Sequence, residues 1–104
     1  MKIYKQVMAA VGAVVLIAGV TAVYAADPTK GAKLYNQNCV DCHGPHGDGQ
    51  MPGVPDFRRT QVLFKPDTVL SETIQRGKNV MPGFAGVLTR EQINDVIAYL
   101  RTLH

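Results

Sequence analysis

The 104-residue sequence has little of several features that usually identify a small domain. It contains only two cysteines, so at most one disulfide can form. No segment shows a convincing strand pattern, and the only internal repeat is the tripeptide Met-Pro-Gly, which occurs at Met51 and again at Met81. The sequence therefore indicates neither a disulfide framework nor a sheet.

Excess positive charge is also scarce once the N-terminus is set aside. The formal net charge of +3 includes Lys2 and Lys5, and from Asp27 onward nine Lys and Arg residues stand against eight Asp and Glu residues. A nearly neutral domain lacks the basic surface on which nucleic-acid binding depends. We therefore expect no nucleic-acid partner.

Residues 1–25 have the pattern of a secretory signal peptide. Two lysines precede an apolar run from Val7 to Val23, and small residues follow it. We predict cleavage after Ala25, which leaves residues 26–104 as one periplasmic domain. The alternative is an uncleaved anchor, because the apolar run approaches the ~20 residues that a membrane span needs.

The residues with the most specific chemistry form the pentapeptide Cys39-Val40-Asp41-Cys42-His43. Two thiols at this spacing, followed at once by a histidine, are the attachment signature of a c-type haem. Each thiol can add across one vinyl group of the haem, and the adjacent imidazole then lies beneath the iron as a ligand. The sequence therefore predicts one covalent haem c, bound by Cys39 and Cys42, with His43 as the proximal iron ligand.

A Cys-x-x-Cys pair also has three other interpretations. A thioredoxin-like redox pair requires a βαβ context, and no strand-like run flanks Cys39. A zinc site normally has four ligands, which here would be the two cysteines with His43 and His46. A disulfide would leave His43 unexplained.

A domain of about 79 residues has a core of only marginal stability unless a disulfide or a bound metal adds to it. A haem would supply the missing apolar core.

Cap residues and apolar spacing predict three helices. The first spans Pro28–Asn38, with its proline in the first turn. The second spans Thr68–Arg76, with Asp67 as the N-cap residue. The third is marked by a Thr89–Gln92 capping box, and its apolar residues recur at helical spacing: Ile93, Val96, Ile97, Leu100 and Leu103.

With these motifs in order, the sequence resembles the class I cytochrome c family. The resemblance implies an all-α fold of three main helices and long loops around one covalent haem that transfers single electrons. Gly31 would let the first helix cross the third closely, and Tyr35 and Tyr99 are expected as core aromatic residues. The motifs that match are Gly31 with Tyr35, Cys39 to Gly44, Met81-Pro82-Gly83-Phe84, and Ile97-Ala98-Tyr99-Leu100.

The same resemblance implies further site residues. Met81 is expected as the second axial ligand, because it follows the second helix in a tight turn as the family's ligand does. Chain length alone leaves Met51 open, since eight extended residues span about 26 Å. Pro55 resembles the family's proline whose carbonyl accepts a hydrogen bond from the proximal histidine, and Pro52 is the alternative. Independently of the resemblance, haem propionates need donors when they are partly buried, so Arg59, together with Arg58, is a candidate propionate contact, with a solvated basic pair as the alternative.

These expectations combine into a periplasmic one-electron carrier that is not an enzyme, with His43 and Met81 filling both axial positions of the iron. We expect a monomer that binds redox proteins transiently and has no membrane contact after signal cleavage. One alternative is a dedicated haem subunit or maturation factor of a periplasmic oxidoreductase complex. Another is a haem sensor or enzyme with an open iron site, which requires that Met81 does not bind.

Overall fold

The computed structural model describes residues 12–17, 19 and 25–104, so most of the predicted signal segment lies outside the described residues. None of the described helices has the length and apolar content needed to cross a membrane. Extended pairing within the described residues is limited to two isolated bridges. The helices are α1 (Pro28–Asn38), α2 (Val40–His43), α3 (Asp67–Arg76) and α4 (Arg90–Leu100), with a 3₁₀ turn at Thr60–Leu63.

The predicted all-α fold with three main helices is therefore confirmed, and α2 is an additional short helix. The span of α1 agrees with the prediction at both ends. Asp27 caps α1, because its carboxylate accepts hydrogen bonds from the backbone N–H groups of Thr29 (2.8 Å) and Lys30 (3.3 Å). The backbone N–H of Asp27 donates in turn to the buried carboxylate of Asp95 at 2.8 Å. The beginning of α1 is thus tied to α4.

Helix α4 begins at the predicted capping box. The Thr89 hydroxyl accepts from the backbone N–H of Gln92 at 3.1 Å, and the Gln92 side chain accepts from the backbone N–H of Thr89 at 2.9 Å. The helix ends at Leu100, so Leu103 lies beyond it in a turn and packs against the core from there. Four apolar residues of α4 are buried: Ile93, Val96, Ile97 and Leu100.

Helices α1 and α4 cross in direct backbone contact at Gly31. A Cβ atom added to Gly31 would overlap the carbonyl oxygen of Asp95 and lie 3.0 Å from the backbone nitrogen of Val96. One turn later, Tyr35 is fully buried, and its ring centroid lies 5.2 Å from that of the half-buried Tyr99. The expected close crossing and the expected core position of both tyrosines are confirmed.

The predicted N-cap of α3 is wrong. Helix α3 begins at Asp67 itself, Pro66 occupies the cap position, and no side chain caps the helix. The Asp67 carboxylate instead accepts a hydrogen bond from Nε of Arg101 at 2.8 Å. Arg101 also donates to the carbonyls of Leu63 (3.0 Å) and Lys65 (2.7 Å). This guanidinium therefore ties the segment before α3 to the end of α4.

Replacing Gly31 by Ala should lower the free energy of unfolding of the protein by roughly 1–3 kcal/mol, because the added methyl group overlaps the α4 backbone. In an exposed helix the same change would raise stability by up to about 1 kcal/mol. Urea unfolding measures the difference. Gln37→Ala on the exposed face of α1 is the control and should change stability by less than about 0.5 kcal/mol. A Gly31→Ala protein as stable as the wild type would contradict the close crossing.

Candidate functional site

The pentapeptide from Cys39 to His43 continues directly from α1 in a single turn. The backbone N–H of Cys39 donates to the Tyr35 carbonyl at 2.8 Å, and that of His43 donates to the Cys39 carbonyl at 2.9 Å. Cys39 is half-buried, Cys42 is exposed, and neither forms a disulfide. Burial, followed by the nearby Cys42, raises the pKa of Cys39 to about 11. The protonated Cys39 thiol is a poor redox nucleophile, which does not favour a thioredoxin-like pair.

Tyr35 fixes the point at which this turn ends. Gly44 ends α2 with a φ of +82°, a conformation that glycine adopts most easily. The Tyr35 hydroxyl donates a hydrogen bond of 2.5 Å to the Gly44 carbonyl. The residue after His43 is thus attached to the core through a buried side chain. The sequence predicted the buried ring of Tyr35 but gave no partner for its hydroxyl.

The His43 imidazole is half-buried and stacks on the ring of Phe57, with ring centroids 4.7 Å apart and ring planes 25° apart. Its Nδ1 atom is buried and has no hydrogen-bond partner among the described residues. Burial lowers the pKa of His43, which favours the neutral imidazole that binds metal ions. A neutral imidazole beside two unpaired thiols is the donor set that a haem c requires, so these residues fit that group.

Pro55 lies in the loop that follows His43, but the predicted hydrogen bond from His43 Nδ1 to the Pro55 carbonyl is not formed. The backbone N–H of Gly49 donates to the His43 carbonyl at 2.8 Å. A Cβ atom added to Gly49 would lie 2.9 Å from the Val54 carbonyl oxygen and 3.4 Å from that of Pro55. The loop therefore brings Pro55 back toward the residues that follow His43. The role of its carbonyl stays a prediction.

Met81 lies in a turn that is held against the end of α3. Reciprocal backbone hydrogen bonds of 3.1 and 2.9 Å between Lys78 and Met81 close the turn. The backbone N–H of Phe84 then donates to the Ile74 carbonyl at 2.9 Å, which gives one of the last carbonyls of α3 a partner. Gly77 ends α3 with a φ of +77°, and a Cβ atom there would collide with the Met81 carbonyl. These hydrogen bonds and the close contact at Gly77 thus fix the position of the Met81 backbone.

The two Met-Pro-Gly copies have different surroundings. Met51 lies in the glycine-rich loop, and 44% of its surface is exposed. The Met51 carbonyl accepts a hydrogen bond of 3.2 Å from the backbone N–H of Val54. Met81 is half-buried in its closed turn. Backbone hydrogen bonds tie the turn of Met81 to the end of α3, whereas the residue before Met51, Gln50, is tied to α2 by a hydrogen bond of 2.9 Å from its backbone N–H to the Cys42 carbonyl.

The two arginines after the loop also differ. Arg58 makes a bidentate contact with Asp56, at 3.0 Å from Nε and 2.9 Å from its terminal nitrogen. This contact holds the pKa of the Asp56 carboxyl below its usual value. Arg59 is exposed and forms no ion pair with any residue in the range 25–104. Of the two guanidinium groups, only that of Arg59 is not already paired with a carboxylate.

Sequence reasoning missed Phe57, and the structure places it directly against His43. The available signal was an aromatic residue that directly follows residues 44–56, a stretch rich in glycine and proline. Such a residue has few partners within its own loop, so it has to pack against something outside it. Arg101 was also missed, because nothing in the sequence connects it with the carbonyls that it binds 36 and 38 residues earlier.

Comparison with known proteins places this arrangement in a family. Residues 26–100 match the family model described as cytochrome c oxidase, cbb3-type, subunit III. The chain is 36% identical over 96 residues to cytochrome c6 of Thermosynechococcus vestitus, which covers 88% of this chain and 83% of that protein.

Two further proteins are similar to this chain, one in sequence and one in structure. Over 80 residues the chain is 38% identical to the cbb3-type cytochrome c oxidase subunit FixP of Bradyrhizobium diazoefficiens, covering 74% of this chain but only 28% of that protein. The solved structure of the KustC0563 c-type cytochrome superposes with a TM-score of 0.66 at 28% identity, covering 70% of this chain and 95% of that chain. The fold and the sequence therefore point to the same kind of protein.

Replacing Tyr35 by Phe should destabilise the haem-loaded protein by about 1–2 kcal/mol at neutral pH, because the buried Gly44 carbonyl loses its shorter hydrogen bond and keeps only the one of 3.3 Å from the Gly47 backbone N–H. The effect of pH adds a second signature. Burial is the largest of the causes that raise the pKa of Tyr35 to about 12, above its ordinary value of 10.0, and it does not depend on the Cys39 thiol.

The stabilisation from Tyr35 is therefore fully present below pH 10 and is lost as the pH rises toward 12. Denaturant unfolding at several alkaline pH values should show a steeper loss of stability for the wild type than for Tyr35→Phe. Tyr99→Phe, which removes the hydroxyl of the neighbouring ring, is the control. Parallel losses in the wild type and Tyr35→Phe would contradict the buried hydrogen bond.

Proposed function

The chain belongs to the class I c-type cytochromes, which carry covalently bound haem c, and on that premise we propose a periplasmic one-electron carrier whose haem iron is bound by His43 and Met81. The observation that carries the proposal is the turn from Cys39 to His43. It presents two unpaired thiols and a half-buried imidazole at the spacing that covalent haem attachment needs.

Each residue of the turn has a separate role in this proposal. Cys39 and Cys42 would hold the haem through two thioethers, and His43 would bind its iron through Nε2, because Nδ1 is buried. When bound, the haem supplies an iron centre that gains or loses one electron. Met81 contributes a soft thioether sulfur that stabilises the reduced state. With both axial positions filled by the chain, no substrate has to bind.

Two further residues support the site in the proposal. Pro55 offers its carbonyl to the Nδ1–H of His43, which would give that orphaned donor a partner and fix the tautomer. Arg59 donates to a haem propionate, and its exposed guanidinium, which is not paired with a carboxylate, supports that role. Redox partners would then bind transiently to a monomer through a small interface.

The first prediction of this proposal concerns the covalent attachment of the haem. The purified wild-type protein should keep its haem through denaturation and acid–organic extraction, because two thioethers hold it. The Cys39→Ala/Cys42→Ala protein should release all its haem in the same extraction. Haem absorbance of the denatured polypeptide after electrophoresis measures the difference. Complete extraction of haem from the wild type would refute the assignment of both cysteines.

The second prediction separates a closed iron site from an open one. Wild-type ferrous protein should bind carbon monoxide poorly, since the gas has to displace the Met81 sulfur. Met81→Ala should bind carbon monoxide readily and have a lower reduction potential, because the soft ligand is lost. Met51→Ala is the matched control and should do neither. Rapid binding by the wild type would favour the sensor or enzyme alternative, and an effect at Met51 alone would show that the other methionine is the ligand.

The third prediction concerns the N-terminus. Protein exported to the periplasm should begin at Ala26, because residues 1–25 form the predicted signal peptide with small residues at its end. Intact-mass measurement of the haem-loaded protein after release of the periplasm gives the first residue directly. A membrane-bound protein that retains residues 1–25 would support the uncleaved anchor instead.

A second candidate function is a dedicated haem subunit of an oxidoreductase complex. It is favoured by the family model, which is described as an oxidase subunit, and by the similarity to FixP, of which this chain spans 28%. The haem chemistry would be the same and only the partner would be fixed. Affinity purification from membranes solubilised in mild detergent distinguishes the two, since a fixed subunit should co-purify with one complex in constant proportion and a free carrier should not.

A further inference from the structure

We propose that Phe57 is a positioning residue that fixes the orientation of the His43 imidazole plane. The inference deepens the proposed function and rests on it, because it concerns His43 as an iron ligand. It adds a residue that acts on the iron site only through the histidine. No haem attachment or iron ligation is assigned to Phe57 itself.

The first observation is the stacking geometry. The two rings lie 4.7 Å apart at an interplanar angle of 25°, which is within the range of offset-stacked aromatic pairs. A flat ring on one face of the imidazole opposes rotation about the bond from the histidine Cβ to the ring. The stack therefore holds the one torsion of His43 that sets the direction of the ligand plane.

The second observation is that Phe57 is itself rigidly held. Its backbone N–H donates to the Gly47 carbonyl at 2.8 Å, and its side chain packs against the core. A Cβ atom added to Gly47 would lie 3.2 Å from Cδ2 of Phe57 and 2.8 Å from Cδ1 of Leu103. Gly47 is thus enclosed between Phe57 and the chain that follows α4. The orientation of His43 is connected in this way to the C-terminal end of the fold.

The third observation is that His43 lacks the usual orienting contact. Metal-binding histidines are commonly oriented by a hydrogen bond from the second ring nitrogen. In the described part of the chain Nδ1 of His43 is buried without such a partner. The stack on Phe57 is therefore an orienting contact that does not depend on that hydrogen bond. It would act whether or not the Pro55 carbonyl accepts a hydrogen bond from Nδ1–H.

The orientation of an axial imidazole has a direct magnetic consequence in ferric low-spin haem. The imidazole plane and the lone pair of the methionine sulfur together select which iron orbital holds the unpaired electron, and this choice distributes spin unequally over the four pyrroles. The four haem methyl groups then have widely separated proton shifts whose order changes when the imidazole plane turns. A change in that order is a signature that a general loss of stability does not produce.

The test is proton NMR of the ferric haem-loaded protein and three variants. Phe57→Leu removes the flat ring and should change the order or the spread of the haem methyl signals. Phe57→Tyr keeps a flat ring and should retain the wild-type order. Phe64→Leu makes the same chemical change at a phenylalanine that is 85% exposed, and it should leave the spectrum unchanged.

A wild-type methyl order in Phe57→Leu would overturn the inference while leaving the axial ligands unaffected. If Phe57→Leu does not retain haem, the wild type decides: a nuclear Overhauser effect between the Phe57 and His43 rings supports the stack, and its absence overturns it. Failure of the proposed function would give a different NMR result. The wild type itself would then lack a low-spin spectrum, and both the ligand assignment and the inference would be refuted together.

Discussion

The rest of the structure depends on the contact between α1 and α4. Gly31 lies so close to the Asp95 carbonyl that no other residue fits there without displacement of a helix. The crossing encloses Tyr35 completely, and the Tyr35 hydroxyl then holds the Gly44 carbonyl. The close approach of the two helices therefore fixes the position of Gly44, the residue next to His43. The attachment turn has a fixed position because the helices cross where they do.

This core is small for the chain that it supports. In the described residues, six apolar side chains are buried, and five of them come from α1 and α4: Tyr35, Ile93, Val96, Ile97 and Leu100, with Leu63 as the sixth. The segment from Gly44 to Pro66 contributes little to it, and large apolar side chains such as Val80 and Val87 are exposed. Chains of this size usually need a cofactor, a metal or disulfides. The covalent haem of this family is such a cofactor, since it adds apolar surface that the sequence does not provide.

Local signals predicted the parts of the fold that local interactions determine. The span of α1 and the capping box of α4 follow from residues within one turn of each helix end, and both are confirmed. The start of α3 was predicted less well because Asp67 binds Arg101, 34 residues away, instead of its own helix. The stack of Phe57 on His43 and the bond from Tyr35 to Gly44 depend on how a loop folds back onto a helix. No spacing within the sequence carries that information.

In the functional site, too, local features could be predicted and long-range contacts could not. The attachment motif could be read from five consecutive residues, because the haem reaches both thiols only at a fixed separation. Supporting residues are harder to predict, and Pro55 illustrates the reason. Its carbonyl lies in the expected loop, yet the hydrogen bond to His43 is not formed, because a contact between two backbone-positioned groups depends on the path of the whole loop and not on a local sequence pattern. Ligand identity is determined by chemistry, whereas the supporting contacts are determined by packing.

The central claim of this account is that the haem completes the core of the domain. Circular dichroism and amide hydrogen exchange of the haem-free Cys39→Ala/Cys42→Ala chain, compared with the haem-loaded wild type, test it most directly. We predict that the haem-free chain unfolds without a cooperative transition and that the amides of α1 and α4 exchange rapidly. A cooperative transition with native helix content and protected α1 and α4 amides in the absence of haem would contradict the claim.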